Sequence, residues 1–255
     1  MLTPMAVTVT DDGPVRVVVL DRPEVRGAVD GEHARLLLEV FTELEDRDDL
    51  SVGVLTGAGG HFCAGADLAA VSAGAMPIWG PGEGPGPMGP TRLQLTKPVI
   101  AAVEGYAVAG GLELALWCDL RVASQSAVFG VFCRRWGVPL IDGGTVRLPR
   151  VVGQGVALDL VLTGRAVEAQ EALRIGLANR VVPVGEALGV AIELAHQLAG
   201  LPQLCLREDR ASLLEQWGRS EQAAMANEWE HGMVSLTQAS QGAARFASGA
   251  GRHGT

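Results

Sequence analysis

The chain has 255 residues, 48% of them hydrophobic, enough for one large domain or one domain with a small appendage. Its formal net charge of −9 argues against a sequence-independent hold on nucleic acid, which needs clustered Lys and Arg to displace counterions. Met1 to Val9 lacks a basic region followed by an apolar run, and no segment has about 18 uninterrupted apolar residues, so a soluble, cytoplasmic protein without a membrane partner is expected.

The first element is a hairpin: "VTVTDDGPVRVVVL" (residues 7–20) alternates apolar and polar residues on both sides of Asp12-Gly13. Asp30 can cap a helix running to about Asp46, with Ala34, Leu37, Leu38, Phe41 and Leu44 on one apolar face. "SVGVLTG" (51–57) and "KPVIAAVEG" (97–105) are short apolar runs bounded by turn residues and read as strands. Strands alternating with helical stretches predict an α/β core covered by helices.

After the strand at 51–57 comes "GAGGHFCAGADL" (57–68), a glycine-rich turn. A dinucleotide fingerprint would place a glycine at its sixth position, where this chain has Phe62, so another ligand has to be considered. Residues 74–90, "GAMPIWGPGEGPGPMGP", hold six glycines and five prolines and cannot continue a helix or central strand. They are expected to form an exposed loop, either a surface insertion or a mobile flap over a site.

The richest segment is "AAVEGYAVAGGLELALWCD" (101–119). Its small residues Ala107, Ala109, Gly110 and Gly111 let a ligand approach the backbone where a helix begins, and the first amides of a helix have no internal partner. Such amides favour a developing negative charge. Glu113 lies among Leu112, Leu114, Ala115, Leu116 and Trp117. A carboxylate there is costly unless it is paired or lines a cavity, which favours a functional over a structural reading.

Cys63, Cys118, Cys133 and Cys205 show no short paired spacing of a zinc or redox site and read as reduced thiols, mostly buried; no metal is expected. Beyond Leu201 the pattern turns to long helices, "LCLREDRASLLEQW" and "SEQAAMANEWEHGMVSLTQAS", with Leu213, Leu214, Trp217, Met225, Trp229 and Met233 available for subunit contact. The closing "GAARFASGAGRHGT" is too glycine-rich to be expected to stay ordered unaided. The expected division is a core over residues 1–200 and a helical region over 201–255.

These segments, with "DRPEVRGAV" (21–29), "FGVFCRRWGVPLIDGGTVRLPRVVG" (129–153) and "TGRAVEAQEALRIGLANRVVP" (163–183), occur in the order and spacing of a known family. The chain closely resembles the crotonase superfamily, also called the enoyl-CoA hydratase/isomerase family. The resemblance implies an α/β spiral of ββα turns, a C-terminal helical trimerisation region, and a homotrimer or dimer of trimers. It also implies an acyl-CoA thioester as substrate and no separate cofactor, coenzyme A being carried by the substrate.

By that resemblance the main-chain amides of Ala66 and Gly110 form an oxyanion hole, and Glu113 is one catalytic carboxylate. The second glutamate of hydratases falls on Cys133, so the chain departs from the hydratase pattern there. Asp142, in "GVPLIDGG", resembles the acidic residue that double-bond isomerases place near this turn; a plain cap on the helix that follows is the competing reading. Arg26, Ala28, Ala64, Asp67 and Leu68 fall on substrate-binding positions. Gly27 replaces the family's usual asparagine beside Arg26, which weakens that match, and an exposed surface arginine is the competing reading. Arg134 and Arg135 read as a solvated pair and Cys133 as a core thiol rather than a nucleophile. Three classes follow: a hydratase- or isomerase-type enzyme, an acyl-CoA-binding homologue weakened in catalysis, and an RNA-binding member. The last is disfavoured by the acidic charge.

Overall fold

A computed structural model describes residues 7–249 of the chain. β1 (Val7–Asp12) and β2 (Val15–Leu20) pair antiparallel with Asp12 opposite Val15, and Gly13, at φ 57°, supplies the left-handed residue that the short turn requires. α1 (Gly31–Asp46) begins where the Asp30 carboxylate accepts hydrogen bonds from the amides of Glu32 and His33. It buries Ala34, Leu37, Phe41 and Leu44 as the 3.6-residue period requires. Leu38, one residue out of phase with Leu37, is only half-buried, and His33 joins the buried face instead.

The elements that follow are β3 (Val52–Gly57), α2 (Leu68–Ser72), β4 (Val99–Val103), β5 (Tyr106–Val108), α3 (Gly110–Trp117), β6 (Leu120–Ser124) and β7 (Val128–Gly130). Then come α4 (Gly144–Val152), α5 (Gln154–Thr163), β8 (Ala166–Glu168), α6 (Ala169–Arg174), β9 (Arg180–Val182) and α7 (Ala187–Ala199). One sheet has six strands in the order β1-β2-β3-β4-β6-β9, parallel except for the β1–β2 hairpin. A second, three-stranded sheet has the order β5-β7-β8. The chain lays β4 in the first sheet, β5 in the second, then α3; β6 and β7 repeat the step before α4. This is the spiral of ββα turns that the resemblance implies.

Two buried cations close helix ends. The Nζ of Lys97, the only lysine of the chain, donates to the carbonyls of Leu44, Glu45 and Arg47 at the C-terminus of α1. Arg121 donates to the carbonyls of Ala115 and Cys118 at the end of α3, and to that of Leu177. Positive charge at a helix C-terminus meets both the dipole and the unpaired carbonyls.

The chain divides into two compact units between Leu198 and Ala199. In the second, α8 (Gln203–Glu215) packs on α9 (Glu221–Ala247), and His231 of α9 reaches Glu208 and Glu215 of α8. The ending expected to be irregular is helical through Ala247; the rest of "GAARFASGAGRHGT" beyond residue 249 lies outside the described residues, as does most of the Met1–Val9 segment. Gly242 costs this helix about 1 kcal/mol relative to alanine, which the flanking helix-forming residues offset.

Replacing Lys97, which is 3% exposed, by methionine keeps its length but removes the Nζ donor from the carbonyls of Leu44, Glu45 and Arg47. Urea unfolding of Lys97→Met is expected to show a loss of about 2–4 kcal/mol; an unchanged midpoint would contradict the capping role.

Candidate active site

The site begins with two turns pressed together. The Cys63 amide donates to the Tyr106 carbonyl at 2.9 Å and the Val108 amide to the Cys63 carbonyl at 3.1 Å. A β-carbon on Gly65 would fall 2.9 Å from the Gly110 nitrogen, so the contact exists only because that residue is glycine. Ala109 has φ 54° and ψ −124°, an arrangement costing an L-residue about 1–3 kcal/mol; its amide is held by the Gly130 carbonyl at 2.9 Å. Ala66 and Gly110 both line one cavity, and neither amide donates to a group among the described residues. Gly110 is the first residue of α3, whose dipole adds to the attraction for negative charge.

Glu113 lies one helical turn after Gly110 and is 2% exposed. Its Oε1 accepts from the amides of Asp142 at 2.9 Å and Gly144 at 2.8 Å; its Oε2 has no hydrogen-bond partner among the described residues. Burial pushes the carboxyl up to about 7, opposed by the Gly144 amide and assisted by the negative charge of Asp142. A carboxyl that titrates near neutrality can both take and return a proton.

Asp142 is also buried. Its Oδ1 accepts from the Met88 amide at 3.0 Å and from the Thr91 hydroxyl, while burial raises its pKa against those two bonds. The helix-cap reading is thereby corrected: Gly143 is the N-cap of α4, with no side-chain cap, because the Asp142 side chain points back toward residues 88–91. Glu113 takes up the Gly144 amide instead.

The expectation of an exposed loop over 74–90 fails at its end. Residues 86–90 are buried, with the Asp142 carboxylate anchoring Met88 and the Met88 sulfur so close to Gly110 that a β-carbon there would fall 2.6 Å away. Arg147 adds a second tie, donating to the Asp142 carbonyl at 2.9 Å and the Thr91 carbonyl at 2.7 Å.

Ala64, Ala66, Leu68, Gly110, Glu113 and Asp142 line one cavity of about 440 Å³. Arg26, Ala28 and Asp67 lie outside its lining. Arg26 is exposed, its guanidinium 5.1 Å from the centre of the Tyr106 ring and its carbonyl accepting from the Ala64 amide. The Ala28 carbonyl accepts from Arg22. The Asp67 carboxylate caps α2 and pairs with Arg22 at 3.1 Å, which steadies the turn beside Ala66. Cys133 is buried as expected but lines the cavity rather than the core alone, and burial together with the charge of Glu113 pushes its thiol up. Arg134 and Arg135 are not merely solvated: they donate to the Val161 and Gly164 carbonyls. Among the described residues no group of three or more His, Cys, Asp or Glu could hold a metal. Sequence reasoning missed Met88, Thr91, Arg147 and Arg22, whose roles come from partners distant along the chain.

The raised carboxyl of Glu113 has a signed consequence. The folded chain holds that proton more tightly than the unfolded chain, so stability falls as pH rises from 4.5 to about 7. The full penalty, about 3 kcal/mol, is present above that interval. Glu113→Gln removes it: by urea unfolding the variant should match wild type at about pH 3.5, below that interval, and exceed it by about 2–3 kcal/mol at pH 8. A less stable variant at pH 8 would contradict this electrostatic account.

The chain matches the Enoyl-CoA hydratase/isomerase family over residues 11–248. It is 39% identical over 212 residues to enoyl-CoA hydratase EchA19 of Mycobacterium tuberculosis, covering 80% of this chain and 78% of that protein. It is 42% identical over 199 residues to carnitinyl-CoA dehydratase of Proteus mirabilis, covering 77% and 76%. Among solved structures, an enoyl-CoA hydratase from M. tuberculosis superposes with a TM-score of 0.90 at 36% identity, covering 95% of this chain and 96% of that one. The enoyl-CoA hydratase EchA1 of Mycobacterium marinum gives 0.89 at 34% identity, with the same coverage. With its ββα spiral, its paired turns and these relationships over nearly its whole length, the chain belongs to the enoyl-CoA hydratase/isomerase family.

Proposed function

We propose that the chain is an enzyme of enoyl-CoA thioesters that works through an oxyanion-stabilised enolate, and that double-bond shifting rivals or exceeds hydration. The observation carrying this reading is Glu113: one oxygen is fixed by two amides, and the other has no hydrogen-bond partner among the described residues, in a cavity also lined by Ala66 and Gly110, whose amides donate to no group among those residues. In this reading the thioester oxygen sits between those amides, each worth about 3–4 kcal/mol to a developing oxyanion. Glu113 removes a proton from C2 of a 3,4-enoyl thioester, the electrons move into the carbonyl, and the proton returns at C4. Asp142 is the second carboxylate, its Oδ2 without a hydrogen-bond partner among the described residues.

Hydration needs a base for the attacking water as well as a proton for C2. Where the resemblance places a second glutamate, this chain has Cys133, whose raised thiol is a poor base at neutral pH. The relatives' names, hydratase and dehydratase, describe addition and loss of water and support a thioester substrate. The weakened-homologue reading rests on the same cysteine. No resident cofactor is invoked. The exposed Met225, Trp229 and Met233 of α9 are assigned to self-association as a trimer or dimer of trimers.

Turnover of 3-enoyl- and 2-enoyl-CoA thioesters separates these readings. Glu113→Gln should lower both activities by about 10³-fold, with Asp142→Asn lowering isomerisation by about 10–10²-fold, and Cys133→Glu should raise hydration. Fast wild-type hydration that survives Asp142→Asn would overturn the isomerase preference; no turnover of either thioester would leave the binding homologue.

A further inference from the structure

We propose that Arg22 is a positioning residue for the reaction, and that through Ala28, Asp30 and Asp67 it fixes the direction in which the Ala66 amide points. The inference rests on the enoyl-CoA reading for what that amide does. Ala66 pairs with Val29 in an isolated parallel bridge. The Val29 amide donates to the Gly65 carbonyl at 2.8 Å, and the Asp67 amide to the Val29 carbonyl at 2.8 Å. The Gly65 carbonyl and the Ala66 amide belong to one planar trans peptide, in which C=O and N–H point in opposite directions. A carbonyl held toward Val29 therefore turns the Ala66 N–H away from it, and whatever fixes Val29 aims that donor.

The register of the bridge creates a charge problem. With Val29 opposite Ala66, the residues that follow, Asp30 and Asp67, come together, and like charges so placed repel. Arg22 stands between them. Its Nη1 lies 3.3 Å from Asp30 Oδ2 and 3.1 Å from Asp67 Oδ2, and donates to the Ala28 carbonyl at 2.9 Å. One nitrogen thus holds the residues on both sides of Val29 and the residue after Ala66. The side chains of Arg22 and Asp67 are 18% and 16% exposed, so solvent screens their contact only in part.

Both carboxylates are committed on their other oxygen. Asp30 Oδ1 accepts from the amides of Glu32 and His33 at the start of α1 and lies 2.6 Å from His33 Nδ1, while Asp67 Oδ1 accepts from the amides of Ala69 and Ala70 at the start of α2. The capped helix ends hold the carboxylates in place, and the guanidinium draws them into one cluster. Arg22 itself leaves from a closed turn, its carbonyl accepting from Val25 at 3.2 Å and Gly27 at 2.9 Å, and its Nε faces Glu24 at 3.7 Å. Arg22, Ala28, Asp30 and Asp67 do not line the cavity of Glu113. Arg22 therefore acts on the thioester only through the peptide it aims.

The experiment combines steady-state turnover of 2-enoyl- and 3-enoyl-CoA thioesters with crystal structures of Arg22→Met, Arg22→Lys and Asp67→Asn. Arg22→Met should lower kcat by about 10–10²-fold, less than outright removal of an oxyanion donor, with KM within about threefold of wild type. Arg22→Lys keeps a cation between the aspartates and should recover part of kcat. Asp67→Asn keeps an oxygen for the α2 amides but turns an NH2 toward the guanidinium. It should lower kcat by about tenfold, and combining it with Arg22→Met should add little further loss. The Gly65–Ala66 peptide should be rotated in the Arg22→Met crystal, or in Asp67→Asn if Arg22→Met does not fold. An unmoved peptide would overturn the inference, as would an unchanged kcat in Arg22→Met or Asp67→Asn, or a loss carried by KM alone. A rotated peptide in a protein whose wild type turns over neither thioester would sustain the positioning of the amide and remove the enoyl-CoA chemistry.

Discussion

One carboxylate oxygen organises the site: Oε1 of Glu113, accepting the amides of Asp142 and Gly144. That pair of bonds joins α3 to the start of α4 and fixes the intervening loop where Asp142 enters. It also sets the direction of Oε2. Because Gly110 and Glu113 are three residues apart in one helix, their backbones are separated by about 4.5 Å along its axis. Burial would be costly for an isolated carboxylate. The two amides offset part of that cost, and the remainder leaves the group near the middle of the physiological pH range.

The second constraint is steric. Gly65 approaches Gly110, Gly110 approaches Met88, and Gly111 approaches the Cys63 carbonyl more closely than any β-carbon allows. The backbone strain at Ala109 belongs to the same arrangement, since the chain must turn from β5 into α3 at this one residue. Met88 closes this contact from the side, and its own backbone is tied to Asp142. Asp142 therefore has one oxygen engaged in architecture and one without a hydrogen-bond partner among the described residues, as Glu113 does.

Much of this was legible in the sequence because it is local. The cap at Asp30 and the apolar period after it appear within a few residues, as do the strands before each glycine-rich turn. Glu113 stood out as a charge in an apolar run. What was not legible depends on distant partners: Met88 and Thr91 meet Asp142 across 54 and 51 residues, and no periodicity announces such a bond. The loop at 74–90 shows the difference between irregular and exposed. Proline and glycine exclude regular structure there, yet residues 86–90 are buried because Asp142 supplies a hydrogen-bond acceptor for Met88. Asp142 itself had two readings in sequence, and only the direction of its side chain decided against the cap.

We propose that the Ala66 and Gly110 amides, which donate to no group among the described residues, and the Glu113 carboxylate converge on a single thioester. A crystal structure of Glu113→Gln with an unreacted enoyl-CoA tests it directly. The account predicts the thioester oxygen within about 2.7–3.2 Å of both the Ala66 and Gly110 nitrogens, with C2 facing the side chain at position 113. A thioester oxygen out of hydrogen-bonding reach of both amides would contradict it.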